Sequence, residues 1–137
     1  IQYNLKRDEP RPFLVAAHNN KVVGWTGAMY TEATGRGHLD GICVDPNERG
    51  GGLGKGLFCH LCKYLKDHGS TYMTFFTGID NPARYIYLFA GFKIVQSFAD
   101  MKKNFYYMNI NFGSFISECS NIICNFAKNE YNKYCVQ

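Results

Sequence analysis

The stretch Asp45-Pro46-Asn47-Glu48-Arg49-Gly50-Gly51-Gly52-Leu53-Gly54-Lys55-Gly56 decides how this chain is read. Ahead of it lies an apolar run, Ile42-Cys43-Val44, and from Leu53 onward apolar residues recur at helical spacing. The order is strand, glycine loop, helix start. Five of the last seven residues are glycine, so the backbone can turn tightly and approach a ligand closely. The first turn of a helix has N–H groups without intrahelical acceptors and carries the positive end of the dipole, which together suit a phosphate. Arg49 and Lys55 add positive charge at the same place. A diphosphate is the ligand these features predict.

Two common phosphate loops do not fit. A P-loop needs G-x-x-x-x-G-K-S/T; aligning its G-K pair with Gly54-Lys55 puts Arg49 at the first glycine and Gly56 at the hydroxyl position. A dinucleotide fingerprint needs G-x-G-x-x-G and an acid further on, and no such frame is present. Arg49-x-x-Gly52-x-Gly54 does fit a third pattern. It resembles the coenzyme A pyrophosphate loop of the GNAT acetyltransferases, R/Q-x-x-G-x-G/A. A second segment, Asn81-Pro82-Ala83-Arg84-Tyr85-Ile86-Tyr87-Leu88-Phe89-Ala90-Gly91-Phe92, is similar to that family's later signature, A-x-x-x-Y-x-x-x-G-F preceded by Asn. Ala83, Tyr87, Gly91 and Phe92 fall at the family spacing, while Asp80 holds the usual asparagine place and Asn81 follows it. The resemblance covers residues 13–101. The second motif also resembles the C-terminal half of tandem GNAT proteins.

The 137 residues, 46% of them hydrophobic, are enough for one domain with its own core. Cys59 and Cys62 lie three apart in a helical pattern without a second pair at zinc-finger spacing, so they read as packed thiols. No metal is expected. No signal peptide and no membrane-length apolar run is seen, and the cytoplasm is the expected compartment. A net charge of +4 is too mild to argue for nucleic acid. The first residue is Ile, which reads as a fragment.

Phe13-Leu14-Val15-Ala16-Ala17 reads as a strand, Asn19-Asn20 as a hairpin turn and residues 21–30 as the return. A turn at Thr34-Gly35-Arg36-Gly37 leads to a strand over 38–44. Leu53, Leu57, Phe58, Leu61 and Leu65 predict a helix that His68-Gly69 closes. A strand at 72–76, a helix over 81–90, a strand at 92–98 and a last strand at 105–112 follow. The expected fold is α/β: a GNAT-like mixed, mostly antiparallel sheet flanked by helices. It fills residues 1–112, and its N-terminal part is truncated relative to the family, which begins with a strand and two helices. Residues 113–137 form the second unit, an amphipathic helix over 114–134 with Phe115, Ile116, Cys119, Ile122, Ile123, Phe126 and Ala127 on one face. It is expected to cover bare sheet in this chain or in a partner.

The resemblance implies acetyl-CoA as cofactor, lying between splayed strands, one ending at Val44 and one at 72–76. Ile42, Cys43 and Val44 would line it, and the Val44 amide would hold the thioester carbonyl. Arg49, Gly50, Gly51, Gly52, Leu53, Gly54 and Lys55 would take the pyrophosphate. Asn81 or Asp80 would hold the pantetheine arm. Tyr87 matches the tyrosine that protonates the departing sulfur, with Tyr85 as a neighbouring competitor. The family often places a glutamate base on the strand before the second helix; here that strand carries Phe75 and Phe76, leaving Glu32, His38, Asp40, Asp80 or water. The expected activity is N-acetyl transfer to a small-molecule or peptide amine. The alternative is an inactive coenzyme A-binding domain with a structural or regulatory role. Expected partners are a second copy or a second GNAT domain, with no nucleic acid and no membrane.

Overall fold

The computed structural model describes residues 12–99, 104–112 and 135–136. An antiparallel meander comes first: β1 (Phe13–His18), β2 (Lys21–Thr31) and β3 (Arg36–Val44). Asn19 and Asn20 have φ of 51° and 60°, the left-handed pair that a two-residue hairpin turn requires and that asparagine tolerates. A short 3-10 turn, Pro46–Glu48, leads to α1 (Leu53–Asp67). Then come β4 (Tyr72–Gly78), α2 (Arg84–Phe89), β5 (Lys93–Ala99), β6 (Asn104–Asn111) and β7 (Cys135–Val136). They form one seven-stranded sheet in the order β5-β6-β4-β3-β2-β1-β7. Among the described residues only β3 and β4 run parallel, with α1 as the crossover between them. No helix among the described residues is long and apolar enough to cross a membrane.

The spacing of the leucines makes α1 the keystone of the core. Leu53, Leu57, Leu61 and Leu65 fall on one stripe, with Phe58 and Cys62 beside it, and all are buried. Each such large side chain contributes roughly 1.5–3 kcal/mol by leaving water. Phe58, Leu61, Cys62 and Leu65 pack with Ala28, Leu39, Met73, Phe75, Met108 and Ile110, while Leu53 and Leu57 pack with Ala16 and Val23. An added Cβ at Gly24 would meet Leu57 Cδ1 at 3.0 Å and Cys43 O at 3.1 Å, so α1 and β2 approach too closely there for a side chain. Cys59 and Cys62 are buried, with Cys62 Sγ 3.8 Å from Met73 Sδ.

α2 is shorter than the helix predicted over 81–90. Asn81 turns the chain before it: its Oδ1 accepts from Ala83 N–H at 3.0 Å and its carbonyl from Arg84 N–H at 3.1 Å. Pro82 sits in this turn rather than in the helix proper. The end follows the glycine rule, since Gly91 has φ of 96° while Phe92 N–H reaches Tyr87 O and Gly91 N–H reaches Leu88 O, each at 3.0 Å. β6 enters between β5 and β4, pairing antiparallel with both. The helix expected over 114–134 lies outside the described residues. Cys135 and Val136, assigned to that helical unit, form a strand antiparallel to Ala17 and Ala16 of β1. Residues 1–11 also lie outside the described part.

Candidate active site

A one-residue bulge opens the sheet. Gly27 faces Gly41 and Ala28 faces Leu39, which leaves Asp40 without a partner on β2. An extra residue bends its strand and sharpens the local twist. β3 and β4 pair only at Arg36↔Tyr72, Gly37↔Met73 and His38↔Thr74, and the pairing stops just before the bulge. Beyond it β3 follows β2 to Val44 while β4 follows β6 to Gly78. The two strands diverge into a wedge.

The walls of the wedge present backbone groups. Asp45 N–H donates to Val23 O at 2.8 Å beside the Val44–Gly24 pair. That bond makes Val44 and Gly24 a non-hydrogen-bonded pair, so the N–H and C=O of Val44 face away from β2. The same alternation turns those of Ile42 into the wedge. On the other wall, Phe112 N–H donates to Thr71 O at 3.0 Å beside the Tyr72–Asn111 pair, so Phe76 and Gly78 direct their backbone groups away from β6. Cys43, expected to line the cofactor with its neighbours, turns its backbone to Trp25 instead. Its thiol is exposed.

The glycine loop closes the open end. Asp45 accepts from Asn47 N–H at 2.9 Å, and Glu48 meets His18 Nδ1 at 3.1 Å, tying the 3-10 turn to the β1–β2 hairpin. Gly50 and Gly52 have φ of 86° and 83°, values that only glycine adopts without strain. The first intrahelical bond of α1 runs from Gly56 N–H to Gly52 O at 3.0 Å. The amides of Gly52, Leu53, Gly54 and Lys55 precede it, and no side chain caps them. Arg49 Nε donates to Val44 O at 3.2 Å, which places its guanidinium at the junction of loop and wedge. Lys55 lies further out, its Nζ 4.6 Å from the centroid of the Phe89 ring of α2.

Tyr87 projects from α2 into the core. It is 4% exposed, and its ring lies 4.4 Å from that of Phe75 and 5.2 Å from that of Phe58. Burial pushes its phenol up to about 12, so it is protonated at any ordinary pH. Tyr85 is 62% exposed and takes Arg84 Nη2 at 2.9 Å, so it is no rival inside the fold. Asn81 spends its Oδ1 on Ala83 and keeps its amide N–H donors. Asp80 is exposed in the same turn.

The base candidates separate clearly. Glu32 lies in the β2–β3 turn, whose Gly35 O accepts from Thr71 N–H, at the closed end of the β3–β4 pair and away from the wedge. His38 stands at the last paired rung, and desolvation first, then Arg36, holds its imidazole below the ordinary value, partly offset by Asp40. It is neutral, yet Nδ1 faces Arg36 Nη2 at 3.1 Å. A guanidinium only donates, so the ring's one lone pair is engaged and His38 is a poor base. Asp40 is exposed on the bulge itself, on the face of His38. The Arg36–His38–Thr74 cluster was not anticipated, because residues 38 positions apart in sequence meet there.

Residues 1–92 match the family model for the acetyltransferase (GNAT) family. No curated protein matches the chain. Among solved structures it is similar to the ribosomal-protein-S18-alanine N-acetyltransferase of Escherichia coli, with 19% identity, 80% of this chain and 74% of that one covered, and a TM-score of 0.68. The ribosomal-protein-alanine N-acetyltransferase of Brucella melitensis gives 21% identity, the same coverages and 0.69. The yncA protein of Salmonella typhimurium, solved with its cofactor acetyl-CoA, gives 19% identity, 74% and 64% coverage, and 0.65. At such identities the likeness is one of fold.

Proposed function

Because the chain belongs to the GNAT acetyltransferase family, we propose that it transfers the acetyl group of acetyl-CoA to an amine. The observation that carries this reading is the wedge above His38↔Thr74, where β3 and β4 part and the backbone groups of Ile42 and Val44 face away from β2, ending at the glycine loop. Such a slot accepts an extended diamide arm as a further strand. The amides of 50–55, with Arg49, would hold the diphosphate at the helix N-terminus. Asn81 would use its remaining amide donors on the arm.

Acetyl-CoA supplies a thioester whose C–S bond breaks as the C–N bond of the amide forms. Val44 lies nearer the loop, and Ile42 lies one step deeper. An arm anchored at the loop brings its far end deepest, so Ile42 N–H is the donor to the thioester carbonyl and Val44 serves the arm's amides. This moves the carbonyl donor from Val44, the expected residue, to Ile42. A positioned N–H of this kind stabilises the charge that develops on oxygen. Asp40, directly or through water, accepts the proton that the amine loses. Tyr87 gives its proton to the departing sulfur and regains it from solvent.

The test is thiol release from acetyl-CoA with a panel of amines, polyamines, amino sugars and peptide N-termini. Release that depends on one class of amine supports the reading. Tight acetyl-CoA binding with no release from any amine would favour the inactive coenzyme A-binding domain.

A further inference from the structure

The sheet face opposite α1 carries a polar cluster that the transfer chemistry leaves unused. Arg36 Nε donates to Thr74 Oγ1 at 2.8 Å, and Arg36 Nη2 to His38 Nδ1 at 3.1 Å. Thr74 is buried, while Arg36 and His38 are half-buried. Arg36 makes no ion pair among the described residues. A guanidinium has more N–H donors than these two contacts use, and Arg36 keeps its charge with donors to spare. The His38 tautomer set by Arg36 carries its proton on Nε2, which adds a further donor. Beside them Phe76 is 55% exposed, edge-on to His38 at 6.4 Å and 4.9 Å from the Tyr107 ring. Asp40, of opposite sign, stands between this cluster and Ile42.

We infer that this face binds the acceptor, and that the acceptor is an amine bearing a carboxylate several bonds from the nitrogen that is acetylated. Arg36 and His38 take the carboxylate, Phe76 the apolar stem, and Asp40 draws the amino end toward the wedge. The assignment rests on the proposed acetyl transfer and names its acceptor class. From the His38 rung to Ile42 there are about three rungs of roughly 3.3 Å, or about 10 Å. The Ile42 bond to the thioester carbonyl runs across the wedge, so only the hydrogen-bond length of about 3 Å at the carboxylate end is taken off, which leaves about 7 Å between carboxylate and nitrogen. An α-amino acid is too short to span this with its own amine. An ω-amino acid or a lysine-like side chain fits.

The experiment compares 6-aminohexanoate with 1,6-diaminohexane as acceptors in the thiol-release assay, on the full chain and on Arg36→Gln. A site built to hydrogen-bond one group discriminates strongly against the analogue that lacks it; at least about a tenfold preference in kcat/KM for the amino acid is expected. In Arg36→Gln the ratio falls to about one while acetyl-CoA affinity stays within about threefold, and Arg36→Lys recovers part of the preference. In parallel, the His38 ring signals of the unmodified chain with coenzyme A are followed by NMR during titration with 6-aminohexanoate and with hexylamine. They shift with the first only, and this arm needs neither turnover nor a variant that folds. Equal acceptors, a preference that survives Arg36→Gln, or a silent His38 overturns the inference. A His38 shift without acetylation of any amine keeps the carboxylate site and sinks the proposed transfer; transfer without the preference does the reverse.

Discussion

Replacing Tyr87 by Phe removes one hydroxyl and leaves the ring on Phe75 and Phe58, at 4.4 and 5.2 Å. The magnitude follows from the burial of that hydroxyl. It holds the phenol up at about 12, against an ordinary 10.0. A thiol titrates near 8.5, so full proton transfer from Tyr87 to a solvated thiolate is uphill by about 5 kcal/mol at ~1.4 kcal/mol per unit. The same burial raises a thiol held beside it, which narrows that gap. A general acid is typically worth about 10²–10⁴ in rate, and Tyr87→Phe should lower kcat within that range. Acetyl-CoA affinity by calorimetry should change by less than about threefold, because packing is kept. Below pH 10 the phenol stays protonated, so no alkaline fall in kcat arises from it there. Stability carries a related signature. Folding favours the protonated phenol, so its contribution is fully present below the ordinary value and is lost as pH rises through about 12. That loss amounts to roughly 3 kcal/mol for two units, and the Phe variant should lack it in alkaline melts. A variant that acetylates at the normal rate refutes the acid role and leaves Tyr87 as a packing residue.

Asp40→Asn keeps the bulge and removes its carboxylate. Its kcat should fall; an unchanged kcat assigns deprotonation to water. Asn81→Ala removes the acceptor of Ala83 N–H and should cost about 1 kcal/mol in chemical denaturation, the usual net worth of a hydrogen bond; no change in stability would mean the turn holds without it. Truncation after Phe112 deletes β7 and its pairing with Ala16 and Ala17, together with the apolar residues Phe115, Ile122 and Phe126 that the sequence pattern places on one face. The melting temperature should drop markedly or the protein aggregate; equal melting temperatures would show that the C-terminal part adds nothing to the fold.

The strand–loop–helix around Arg49 was legible because its glycines and its leucine stripe are local signals. Two left-handed glycines, free amides and α1 itself all sit where the sequence puts them. The meander was legible for the same reason, with Asn19-Asn20 marking its first turn. The wedge was expected only through the family resemblance, yet its cause was in the sequence. Asp40-Gly41 inside an apolar strand is the signature of a bulge. Arg36, His38 and Thr74 meet only because the parallel pairing of β3 and β4 brings them together, and no local pattern announces that. The helix over 81–90 came out short because Asn81 and Pro82 form a turn of their own. Cys135-Val136 gave no strand signal, since a two-residue pairing depends wholly on the edge it joins.

The central claim is that the glycine loop holds the diphosphate of acetyl-CoA, and calorimetry on the unmodified chain and on Gly51→Glu tests it most directly. An added Cβ at Gly51 meets nothing within 4 Å, whereas at Gly54 it meets Ile86 Cδ1 at 3.3 Å and Val44 Cγ2 at 3.7 Å. Gly51→Glu therefore changes the charge of the loop without disturbing its packing. A carboxylate about 8 Å from one phosphate charge, at an effective dielectric of about 20, repels it by roughly 2 kcal/mol, or about thirtyfold in affinity. The unmodified chain should bind acetyl-CoA. The variant should bind at least about tenfold more weakly with an unchanged melting temperature, and added salt should narrow the difference. Equal affinity in the two proteins, or no binding by either, would contradict the account.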